Sequence, residues 1–120
     1  LFTTAANQGY PSAQFTLGVM YRLGEGVAKD YVKAVKWYRK AAVHGYTEAQ
    51  NSLGVMFESG RGVRSNPTIA MMWYEVADAS GSYRGSVNRE RLSRKLHPAE
   101  LIRAKSLALT CLQSRLSHCG

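Results

Sequence analysis

The sequence predicts an all-α solenoid. Three observations point there: the chain repeats itself at a fixed interval, apolar residues inside each repeat fall at helical spacing, and Gly, Asp, Asn and Pro punctuate the repeats where helices must start and stop. Shifted by 36 residues, segment 9–44 lies over 45–80 without a gap and with 15 of 36 positions identical. Self-similarity at this period marks a stack of supersecondary units, none of which can bury its apolar face alone.

Each unit reads as two helices. The first spans 11–23 and again 47–59, with Ala13, Leu17, Met20 and Tyr21 on one stripe. Gly24 and Gly60 end it, because glycine takes a left-handed conformation after a helix at little steric cost. The second spans 30–43 and 66–79, opening on Asp30 or Asn66, both residues whose side chains accept from a free helix N–H. Pro67 follows at the first helical position, where a missing N–H is harmless. That helix carries Trp37, Tyr38 and Ala41 inward, and Trp73, Tyr74 and Ala77 in the next copy. Gly18 and Gly54 sit mid-helix, each at a propensity cost of about 1 kcal/mol relative to alanine. A glycine kept at the same place in two copies predicts a close helix crossing, with Ala34, Ala41 and their copies as the facing surface.

The ends depart from the repeat. Residues 1–8 align with the end of a second helix and form a half-unit. After the full units 9–44 and 45–80 comes a degenerate unit, 81–96, where Gly85 replaces Ala and the Leu-Gly and Gly-x-Gly-Val signals vanish. Val87, Leu92 and Leu96 keep a helical stripe over 83–96. A capping helix, 97–117, opens on Pro98 with Glu100 near its positive end and buries Leu101, Ala104, Ala108, Cys111 and Leu112. The apolar edge at Leu1 and Phe2 lacks a partner helix, so self-association there, or further repeats upstream, is expected.

The pattern the two copies share is Ala-Gln-x-x-Leu-Gly-x-Met-(Tyr/Phe), then Gly-x-Gly-Val, then Ala-x-x-Trp-Tyr-x-x-Ala. It resembles the Sel-one-like repeat (SLR) family, relatives of the tetratricopeptide repeats, over residues 1–80. The degenerate unit and last helix resemble the C-terminal ends of bacterial SLR proteins, where a cysteine in the final helix is often followed by another near the terminus. Cys111 and Cys119 look like that pair. The resemblance implies a right-handed α/α superhelix that serves as an adaptor or assembly scaffold. Two states of the cysteines stay open. A disulfide forms if the helix stops near residues 115–117 and the tail folds back, which implies a periplasmic or secreted protein. Otherwise Cys111 is buried and Cys119 is a free tail thiol.

The residue types supply little chemistry. No serine has Lys three residues on, so the Ser-x-x-Lys of serine β-lactamases is absent. One cysteine-rich SLR branch is linked to β-lactam binding and hydrolysis, but it carries a cysteine pair per repeat, and here none precedes Cys111. His44, His97 and His118 are scattered, without metal-ligand spacing. The expectation is a non-enzyme with no cofactor and no metal. Its partner is a protein or peptide held in the groove lined by the first helices. The candidate contact residues are those that differ between copies: Phe15 with Asn51, Thr16 with Ser52, and Arg22 with Glu58, continued by Arg91 and Arg94. The alternative is a nucleic acid or anionic surface. It rests on the net charge of +8 and the arginines and lysines between Arg84 and Lys105, though no aromatic interleaves them. β-Lactam chemistry stands third. No apolar run reaches membrane-spanning length.

Overall fold

A computed structural model describes residues 2–119, except the side chain of Phe2. Its elements are α1 (Phe2–Asn7), α2 (Pro11–Leu23), α3 (Tyr31–Val43), α4 (Thr47–Ser59), α5 (Pro67–Ala79), α6 (Tyr83–Ser93) and α7 (Pro98–Gln113). No strand occurs among the described residues. The helices stack into a rod 44 × 26 × 22 Å in extent. Within a unit α2 packs on α3 and α4 on α5; between units α3 packs on α4 and α5 on α6. Leu1 and the Phe2 side chain lie outside the described residues, and with them the expected self-associating edge. The rest of α1 seats Ala6 against Ala13 and Leu17, where the second helix of a preceding unit would lie.

The repeated letters have repeated physical causes. Asp30 and Asn66 cap α3 and α5 by accepting from Lys33 N and Ile69 N at 3.1 and 3.2 Å. Gly24 and Gly60 end α2 and α4 at φ 73° and 71°. Gln14 and Gln50, the Gln of the Ala-Gln pair, donate from Nε2 to the carbonyls of Ala6 and Ala42, tying each unit to the helix before it.

The crossing at Gly18 and Gly54 differs from the expectation. The close partner is a tyrosine ring, with alanine contributing backbone. A Cβ built on Gly18 would stand 2.5 Å from Tyr38 Cδ1, and one on Gly54 2.5 Å from Tyr74 Cε1, with the Ala34 and Ala70 carbonyls close behind. Each tyrosine therefore fills its own unit, while Trp73 fills the space between units in the main cluster with Ala42, Leu53 and Met56. Its copy Trp37 is only half-buried and packs on the N-terminal cluster.

The C-terminal third differs at three points. The first is α6, which stops at Ser93 rather than 96 and leaves Val87 exposed; only Leu92 of its stripe is buried. Gly85 is buried because α6 lies close on α5: a Cβ there would be 2.7 Å from that of Ala77. The second is α7, which folds back along α5, burying Ala104, Ala108 and Cys111 and leaving Leu112 partly exposed.

The third is the tail. Where residues to 116 or 117 were expected to be helical, α7 ends at Gln113, and Arg115 and Leu116 take left-handed conformations, φ 55° and 71°. Leu116 N then donates to Cys111 O at 2.8 Å, and the turn returns Cys119 to Cys111 as a disulfide, Cα–Cα 4.5 Å. Leu116 and Cys119 pack against the main cluster. Closing so short a loop stabilises by about 2.5 kcal/mol in the chain-entropy account. Reduction, or Cys119→Ser, is therefore expected to lower the melting temperature by roughly 5–10 °C. Calorimetry with and without reductant checks this, and equal midpoints would show that the tail stabilises nothing.

Candidate functional site

Helices α2, α4 and α6 share one face, and residues from all three line common depressions on it. The face is built by the same packing that buries the tyrosines, because the residues opposite Leu17 and Leu53 on the first helices must point away from the core.

The candidate groove residues fall into two sets. One set is tied into the scaffold. Glu58 accepts a two-pronged hydrogen bond from Arg91, at 2.7 and 2.6 Å, and a third from Tyr74 Oη at 2.8 Å. Asn51, expected to be free of packing, is buried and accepts from Asn88 Nδ2 at 2.8 Å. These two contacts lock α4 to α6. Phe15 is also committed: its ring packs on those of Tyr38 and Tyr46, at 5.7 and 5.2 Å between centroids. Thr16 turns its hydroxyl back to the carbonyl of Ser12. Arg94 reaches Glu90 of its own helix at 3.5 Å, and both are largely exposed, so this pair contributes little.

The second set, Arg22 of α2 and Ser52 of α4, opens onto a cavity of about 210 Å³, lined also by Asn51, Val55 and Met56 of α4, Arg61 of the following loop and Arg84 of α6. Arg22 donates Nε to Tyr38 Oη at 3.0 Å. Arg61 lies over the ring of Tyr31, its Cζ 5.5 Å from the centroid. Arg61 and Arg84 are not among the candidate groove residues read from the sequence, where Arg84 stands only with the basic residues of the C-terminal third. Variation between copies is the signal that finds both, since Arg61 lies over Glu25 and Arg84 over Glu48 at the 36-residue shift.

Electrostatics follow the geometry. The hydrogen bonds from Arg91, and after them the one from Tyr74, outweigh burial and hold the Glu58 carboxyl below the usual carboxylate range. Burial, then the bond to Glu58, pushes the Tyr74 phenol up, so it stays a donor. The Tyr31 phenol is lowered by its hydrogen bond with Lys29, with the charges of Lys29, Arg61 and Arg22 adding to it. The cavity, lined by Arg22, Arg61 and Arg84 and by no Asp or Glu, is locally positive. Because Glu58 is more acidic folded than unfolded, its contribution is complete above the unfolded value of about 4.3 and is lost as pH falls through the folded one. Glu58→Gln is expected to lower stability at pH 7 by about 1–2 kcal/mol and to lose part of its deficit below pH 4. Urea titrations of both proteins at pH 7 and pH 3 check this; a deficit unchanged between the two would contradict it.

No cluster of His, Cys, Asp or Glu suited to a metal occurs among the described residues. None of their helices is long and apolar enough to cross a membrane.

A family profile described as the Sel1 repeat matches residues 11–46 and 47–77. The chain belongs to the Sel1 repeat family. This Sel1 repeat chain is similar over nearly all of its length to a solved structure of c5321, a protective antigen present in uropathogenic Escherichia coli strains and displaying an SLR fold. The two share 34% identity at a TM-score of 0.90, covering 98% of this chain and 25% of that one. A Sel1 repeat protein from Oxalobacter formigenes is 40% identical with a TM-score of 0.73, over 75% of this chain and 68% of that one. Among curated proteins, the chitin synthase regulator SKT5 of Saccharomyces cerevisiae is 55% identical over 38 residues, 32% of this chain and 6% of the yeast protein. The chain thus spans a quarter or less of the antigen and of the yeast regulator. Sel1 repeats are generally protein-binding scaffolds without catalytic activity of their own.

Proposed function

We propose that this Sel1 repeat chain is a non-catalytic scaffold that holds a protein segment along the face formed by α2, α4 and α6. The observation that carries the reading is the shared cavity: the first helices of three successive units contribute side chains to one depression that the scaffold's own packing does not fill. A rigid face of this kind presents its contacts without an ordering cost, as recognition of an extended or helical segment requires. The arginines of the C-terminal third give weaker support to nucleic-acid binding, because Arg89, Arg91 and Arg94 are answered by Glu75 and Asp78, Glu58, and Glu90. The Cys111–Cys119 bond favours an oxidising location, periplasmic or secreted.

The test is capture of native partners from the source cell by wild type and by Ser52→Trp, which fills the cavity without changing charge. Capture is expected to fall at least tenfold while the circular dichroism spectrum is kept. Undiminished capture by the folded variant would overturn the reading.

A further inference from the structure

We propose that the cavity framed by Arg22, Arg61 and Arg84 seats a carboxylate of an acidic, extended protein segment. The inference rests on the scaffold reading above and assigns its partner a chemistry.

The repeat itself supplies the template. At the seam between the second and third units, the carboxylate of Glu58 is held by the guanidinium of Arg91 and the hydroxyl of Tyr74. At the preceding seam the copy of Tyr74 is Tyr38, the copy of Glu58 is Arg22, and the copy of Arg91 is Val55. Here the tyrosine accepts from the arginine instead of donating to a carboxylate. A guanidinium and a phenol are in place, and the acidic member of the group is missing.

No side chain of the protein supplies it. The cavity is lined by no Asp or Glu, and Arg22, Arg61 and Arg84 form no ion pair among the described residues. Three arginines line one cavity of about 210 Å³ with no carboxylate in its wall, so an anion seated there is favoured by all three charges. Asn51 and Ser52 add polar atoms to the same wall, and arginine forks match the two oxygens of a carboxylate.

A polypeptide fits this arrangement better than a nucleic acid. A phosphate backbone calls for a track of free cations. Past Arg84 the same face turns apolar and aromatic, with Tyr83 and Val87 exposed at 82% and 47%, and the next arginines, Arg91 and Arg94, are paired. One anionic anchor followed within a few residues by an apolar side chain matches that order.

The test is fluorescence anisotropy with a fluorescein-labelled, C-terminally amidated ten-residue Gly/Ser peptide carrying two glutamates and, three residues on, a leucine. A glutamine version, the glutamine version with a free C-terminal carboxylate, and a ten-nucleotide oligothymidine serve as comparisons. The glutamate peptide is expected to bind at least tenfold more tightly than the amidated glutamine peptide. Arg84→Ala, which removes no internal hydrogen bond or ion pair, and Arg61→Ala are each expected to weaken it fivefold or more. The double change Lys36→Glu and Arg103→Glu, on exposed parts of α3 and α7, should change it less than twofold. Recovery of binding by the free C-terminus supports the site and names a chain end as the source of the carboxylate. Equal binding of the amidated glutamate and glutamine peptides, no binding of either, or equal losses in both sets of variants overturns the proposal. Oligothymidine binding more tightly than the glutamate peptide, and losing that binding in Arg84→Ala, overturns it in favour of nucleic acid. The scaffold reading is judged separately by Ser52→Trp, which carries no charge change: loss of native capture there, with indistinguishable glutamate and glutamine peptides, leaves the groove and removes only its acidic preference.

Discussion

Trp73→Ala is expected to destabilise the protein by about 3–5 kcal/mol, a large part of the stability of a domain this size. Trp73 is fully buried in the main cluster, where α3, α4, α5 and α7 meet. Its removal leaves a cavity that fixed helices cannot close. The same change at its copy, Trp37, is expected to cost roughly half as much, because that ring is half-buried and already in contact with water. Chemical denaturation of the two variants measures the difference. Equal costs would show that the units contribute alike and that the core is not concentrated at the second one.

Gly54→Ala is the second large effect. Alanine raises helix propensity by about 1 kcal/mol, so a surface glycine would gain from the change. Here the new methyl would meet the Tyr74 ring at 2.5 and 2.7 Å. The ring must then move, and its hydroxyl leaves Glu58, which also weakens the grip of Arg91. Overpacking and loss of a charge-assisted hydrogen bond together cost about 3–4 kcal/mol before the propensity gain, leaving a net loss of about 2–3 kcal/mol. The double variant Gly54→Ala with Tyr74→Phe should lose less than the sum of its parts, because the hydroxyl's bond is already broken in the single glycine variant. Melting curves for the three proteins decide it; a stabilised Gly54→Ala would refute the close crossing.

Much of the fold is legible from residues alone where local chemistry and packing agree. Asp30, Asn66, Gly24 and Gly60 mark helix ends because each satisfies a backbone requirement at that position, whatever the rest of the chain does. Gly18 and Gly54 announce a close approach, but not that a tyrosine ring makes it, since the pattern records only that a Cβ does not fit. The back-folding of α7 and the early end of α6 follow from tertiary contacts of Leu92, Ala104 and Cys111 that no periodicity reports. The functional face is less legible. Variation between copies selects Glu58 and Asn51, which with Arg91 further along the row brace the seam between units, as readily as Arg22 and Ser52, which open onto the cavity. Arg61 and Arg84 lie over Glu25 and Glu48 and so also vary between copies, but a comparison confined to the first helices of the full units passes over a connector and a decayed repeat.

The central claim is that partners are held on the face of α2, α4 and α6. It is tested most directly by placing a photo-crosslinking amino acid at Ser52, at Val55, and separately at Lys36 and Arg103, then irradiating in the native cell. Crosslinked partner is expected from Ser52 and Val55 and not from Lys36 or Arg103. Crosslinks confined to Lys36 or Arg103 would contradict the account.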